Sequence, residues 1–102
     1  MPELTSLSDL TETPHAEVFD DGGDPRAVRL HLEADERIPE HRHPESNVVF
    51  HLLSGSLELS LDGESYELES GDLVRFDGDR EVAPNALEKS TALIVFAPKR
   101  EP

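Results

Sequence analysis

"HRHPESNVVFHLLSG", residues 41–55, places three of the chain's five histidines within eleven positions and closes on Ser54-Gly55. Successive side chains of an extended strand point to opposite sides, so Val48, Phe50 and Leu52 share one face while Asn47 and His51 take the other. The same period gives His41 and His43 a common face, about 6.6 Å apart along the chain. Both imidazoles can then turn toward one ion at about 2.1 Å.

The alternation continues on either side of this stretch. "RAVRLHLEA", residues 26–34, sets Val28, Leu30 and Leu32 against Arg29, His31 and Glu33. "SLELSLDGESYELESGD", residues 56–72, repeats the pattern, with Leu57, Leu59 and Leu61 inward, Asp62-Gly63 suited to a tight hairpin turn, and Tyr66 and Leu68 on the return strand. "DLVRF" and "TALIVFA" read as two further strands, the second apolar enough to be central or covered on both sides. No helical period persists over three turns, so the count of seven or eight short strands predicts an all-β barrel or sandwich. Residues 1–13 read as a loosely attached leader, with one helical turn starting at Ser8 or Asp9 and His15 just beyond. Residues 14–98 form the domain, and residues 99–102 a polar tail.

Composition narrows the function classes. The chain has 102 residues and no cysteine, which suits one modest domain and leaves His, Asp and Glu as its side-chain metal ligands. No apolar run approaches the roughly 20 residues that span a bilayer, and the first residues lack a signal-peptide pattern, so a cytoplasmic protein without a membrane partner is expected. Acidic residues number 23 against 9 basic ones, for a net charge of -14. Such a surface repels phosphates, which excludes a nucleic-acid partner. The acids are spread along the whole chain, the pattern of a salt-in halophile, expected here to be an archaeon. Molar salt shortens the Debye length to about 3 Å and screens the self-repulsion.

With the strands placed, "DERIPEHRHPESNVVFHLLSGSLEL" and "GESYELESGDLVRFDGD" resemble the cupins, small jelly-roll barrels. The family's first motif runs Gly, five residues, His-x-His, three or four residues, Glu, six residues, Gly. His41, His43 and Gly55 match it, and Gly71-Asp72 matches the start of the second motif. The resemblance covers Val28 to Phe96 and implies a cupin-type double-stranded β-helix of antiparallel strands. It also implies a metal site, in which Val48 stands where the family has its Glu and Val82 where it has its last His. Asp35 replaces the first glycine and Asp77 the usual proline of the second motif.

The expected site therefore centres on His41 and His43. Glu45, one step further along the same face, would complete two histidines and a carboxylate, a ligand set with open positions that suits non-haem metals. The expected cofactor is a divalent ion, Fe, Mn, Ni or Zn. Val48, Phe50, Leu52, Val74, Phe76 and Val82 are expected to line the cavity. Three readings stay open at this point: a metal-dependent oxygenase or isomerase, a metal-free cupin binding a small-molecule ligand as sensor or carrier, and a partner-binding module. Outward apolar residues such as Val49 and Leu53 predict a homodimer.

Overall fold

The computed structural model describes residues 3–19 and 24–99; residues 1–2 of the expected leader and 100–102 of the tail lie outside the described residues. Eight strands are present among the described residues: β1 (His15–Glu17), β2 (Arg26–Leu32), β3 (Ser46–Ser54), β4 (Ser56–Leu61), β5 (Glu64–Glu69), β6 (Leu73–Asp77), β7 (Val82–Ala86) and β8 (Ser90–Pro98). A single 3-10 turn, Leu7–Asp9, occupies the place of the expected helical turn. The strands form two sheets, ordered β1-β2-β8-β3-β6 and β5-β4-β7, with every pairing antiparallel. This is the all-β architecture that the alternation predicts, in the antiparallel jelly-roll form that the family resemblance implies. No helix among the described residues is long and apolar enough to cross a membrane.

Period-two patterning decides what the sheets bury. Val28, Leu30 and Leu32 on β2 join Val48, Phe50 and Leu52 on β3, Leu57, Leu59 and Leu61 on β4, and Ala92, Ile94 and Phe96 on β8 in one core. The "TALIVFA" run is central, as expected: β8 pairs with β2 on one side and β3 on the other, aligning Val28, Ile94 and Phe50 in one row and Leu30, Ala92 and Leu52 in the next. Tyr66 lies opposite Leu59 but stays 40% exposed, its hydroxyl donating to Glu64. Asp62 and Gly63, both at positive φ (52° and 86°), turn β4 into β5.

The outer face of the larger sheet departs from the rest of the surface. Ala27 and Arg29 on β2, Val49, His51 and Leu53 on β3, and Leu93 and Val95 on β8 have the outward parity, and none of them is acidic. Arg29, despite its outward parity, is only 8% exposed. Its guanidinium donates to the carbonyls of Leu10 (3.1 Å) and Glu12 (2.5 Å), which holds the leader across this face. His31, of the same outward parity, is half-buried and bonded to Thr91 Oγ1 and Glu33 Oε2 at 3.0 Å each.

Two glycines separate backbone strain from crowding. Gly63 and Gly55 both sit at positive φ, but a Cβ on Gly63 meets nothing, whereas on Gly55 it would collide with the Lys89 carbonyl and Ser90. Gly63→Ala should cost about 1 kcal/mol through strain alone. Gly55→Ala should cost about 3 kcal/mol or more, since overpacking adds to the strain. Urea midpoints measured at constant m-value compare the two. Equal losses would mean that the neighbours of Gly55 yield.

Candidate functional site

One cavity of about 590 Å³ opens at an end of the barrel. Its wall is apolar, made by Val28, Val48, Phe50, Phe76, Val82, Ile94 and Phe96, with Ile38, Pro39 and Pro84 beside them. Its mouth is polar, with His15, His41, His43, Arg26, Glu12, Glu17 and Glu40.

Backbone register places each mouth residue. In β1, His15 lies opposite Leu30 and Glu17 opposite Val28, so both share the inward parity while buried Ala16 turns out against Arg29. Arg26 is paired with Phe96 across the β2–β8 ladder, and its guanidinium carbon sits 4.9 Å from the Phe96 ring centroid. The same guanidinium donates to Glu17 Oε1, through Nε at 2.8 Å and a terminal nitrogen at 2.6 Å. His41 forms an isolated antiparallel bridge with Val82, its N–H donating to the Val82 carbonyl (3.1 Å) and its carbonyl accepting from the Val82 N–H (2.9 Å). The His43 N–H donates to the Gly78 carbonyl at 2.7 Å, and the Gly78 N–H donates to the Ser46 carbonyl at 2.9 Å. A Cβ on Gly78 would strike the His43 and Ser46 carbonyls, so only glycine lets this turn lie against the histidine loop.

The imidazoles meet at the mouth. The rings of His41 and His43 stand edge to face with centroids 4.9 Å apart, and His43 packs on Phe96 at 4.7 Å. His41 Nδ1 lies 2.9 Å from the Pro39 carbonyl. A carbonyl only accepts, so Nδ1 carries the proton and Nε2 is left as the acceptor of the neutral ring. Burial lowers the pKa of His43, and the positive charges of His41, Arg26 and His15 lower it further. The pKa of His15 is lowered by burial, then by His41 and Arg26, against an opposing pull from Glu17.

Of the expected residues, His41 and His43 reach the mouth, and Val48, Phe50, Phe76 and Val82 form wall. Leu52 does not line the cavity because it is fully buried in the core, and Val74 packs against the core from its edge. Glu45 is exposed and outside the cavity wall; its carbonyl accepts from the Lys99 N–H at 3.1 Å. Sequence reading missed His15, Glu17 and Arg26. The alternation His15-Ala16-Glu17 is the signal for the first two, but a strand of three residues is too short to stand out, while Arg26 opens β2 with the inward parity of Val28.

The metal implied by the family pattern meets a poor donor set. Val48 and Val82, at the positions of two expected ligands, are buried, apolar and part of the same wall. Among the described residues no three His, Asp or Glu side chains converge closely enough to hold an ion. The residues present do not fit a metal held by the protein alone.

Comparison with known proteins agrees with this architecture. The Cupin domain family matches residues 28–96. No curated protein matches the chain. Among solved structures, KdgF from Halomonas sp. superposes with a TM-score of 0.82 at 19% identity, covering 99% of this chain and 97% of its own. A cupin protein from Bacteroides fragilis gives 0.78 at 23% identity, covering 100% and 90%. An RmlC-like cupin protein from Desulfovibrio desulfuricans gives 0.76 at 17%, covering 96% and 97%. At these identities the likeness is one of fold.

The imidazole cluster has a titration signature. By NMR, His15 and His43 should each titrate below the usual 6.5. His41→Ala should raise both midpoints, because it removes a positive neighbour that opposes their protonation. The unfolded chain then binds protons more readily than the folded one just below pH 6.5, so stability should fall as pH drops through that point. A His43 midpoint that His41→Ala does not move would contradict the cluster.

Proposed function

We propose a ligand-binding role for this chain, which belongs to the cupin family: it holds a small molecule in its apolar cavity without a metal ion of its own. The observation that carries this reading is the pair Val48 and Val82. Both stand where the family's motif places ligands, and both instead extend a continuous apolar wall around about 590 Å³. Cavities of this size with an apolar lining and a few polar groups at one end are the usual form of small-molecule sites. The acidic composition supports a cytoplasm of molar salt as the working environment.

Calorimetry with Zn²⁺ or Ni²⁺ tests the metal-free reading. The parent chain should give heats no larger than those of His41→Ala/His43→Ala. The variant Val48→Glu/Val82→His, which supplies the two absent ligands, should bind at least about a hundredfold more tightly, an affinity gain of about 3 kcal/mol. A parent that binds as tightly as the variant would mean that ligands are drawn from elsewhere in the chain.

The outer face of the larger sheet supports pairing of two copies. A chain with net charge -14 repels its own copy wherever acidic surfaces meet, and the outward residues named on β2, β3 and β8 carry no acid, while Asp77 on the edge strand β6 is paired with Lys99. Isologous contact would cover Val49, Leu53 and Val95 at once. Light scattering at molar salt should give twice the chain mass of 11.3 kDa, and Val49→Glu/Val95→Glu should give the single mass. A parent of single mass at micromolar concentration would overturn the pairing.

A further inference from the structure

We propose that the cavity takes a compact organic cation, a protonated primary amine carried on an apolar body, with the ammonium held at the cavity mouth. This rests on the ligand-binding reading above and adds the ligand's chemical class. The inventory of the mouth supports it. Three carboxylates, Glu12, Glu17 and Glu40, line the mouth against one guanidinium, Arg26. Arg26 is committed to Glu17 and to the face of Phe96, so it has little left to offer an incoming anion.

The histidines add acceptors. In its neutral form His41 directs its proton to the Pro39 carbonyl and keeps the Nε2 lone pair. His15 and His43, as neutral rings, each keep one acceptor nitrogen as well. Acceptors and negative charge therefore outnumber free donors where a ligand's head group would lie.

An occupant can be selected on these terms. With Glu17 compensated by Arg26, a carboxylate would still meet the two like charges of Glu12 and Glu40, and a neutral head group would leave most of the acceptors unused. A metal ion needs several donors converging at about 2 Å, which this arrangement does not give. An ammonium has three donors and forms hydrogen bonds at about 2.7–2.9 Å in spread directions, so it tolerates partners that do not converge on a point. The apolar wall behind receives the rest of the molecule. The overall charge of -14 also raises the local concentration of cations around the mouth.

The test uses three probes of matched shape on the full chain in about 1 M KCl, where long-range surface attraction is screened. They are 2-phenylethylammonium, 2-phenylethanol and 3-phenylpropanoate, titrated by calorimetry near neutral pH. The ammonium should bind at least about tenfold more tightly than the alcohol, and the carboxylate more weakly than both. Glu12→Gln/Glu40→Gln should remove most of that preference while leaving the alcohol's affinity in place. Glu64→Gln, on β5 and outside the cavity wall, should leave the preference intact. An alcohol that binds as well as the ammonium, or a preference that survives the double substitution, overturns the cation assignment and leaves the ligand-binding reading standing. If none of the three probes binds, both fall.

Discussion

Two backbone hydrogen bonds between His41 and Val82 tie the mouth of the barrel to its small sheet. The segment between β2 and β3 runs along the free edge of β7, where Asp35 N–H donates to the Ala86 carbonyl, Ala86 N–H to the Glu36 carbonyl and Ile38 N–H to the Pro84 carbonyl, each at 2.9 Å, and Arg37 bridges Asn85. The His41–Val82 bridge is the last of these ties, and it brings a histidine of the first family motif against the residue that stands in place of the last one. Other features of the site follow from it. With His41 fixed, His43 lies two residues on against Gly78 and Phe96, and β3 begins with Val48 turned inward. His15, Arg26 and Glu17 complete the mouth from the opposite edge of the larger sheet. The cavity thus has one wall set by β-sheet register and a rim set by a few backbone contacts.

Most of the fold was legible because its signal is local and repeated. Val28, Leu30 and Leu32, then Val48, Phe50 and Leu52, then Leu57, Leu59 and Leu61 each show the same alternation, and each trio is buried as a set. Asp62-Gly63 marked its own hairpin through the positive φ it requires. The site was half legible. His41 and His43 could be placed by parity from the strand they precede, but parity fails beyond a strand's end. Pro44 and the turn into β3 break the extended run, and Glu45 consequently lies outside the cavity. Arg29 shows the opposite failure. Its outward parity was right, yet a leader folded across that face buries it, a tertiary contact that no local pattern announces.

Charge and packing have different tasks in this chain. Acidic residues cover the solvated surfaces, whereas the outer face of the larger sheet carries aliphatic residues with Arg and His among them. Inside, the two valines at expected ligand positions exchange a coordination site for apolar wall. A carboxylate or imidazole there without an ion would be a polar group facing a largely apolar cavity, at a cost of about 1–3 kcal/mol if left unpaired. Valine avoids that cost. The remaining histidines sit at the rim, where water and a ligand's head group can both satisfy their nitrogens.

The central claim is that this cupin cavity serves a small molecule and not a resident metal ion. Elemental analysis of the full chain, purified without an affinity tag or chelator, tests it most directly. The account predicts well under about one tenth of an equivalent of Fe, Mn, Ni or Zn per chain, unchanged by His41→Ala/His43→Ala. A content near one equivalent that disappears in that variant would contradict it.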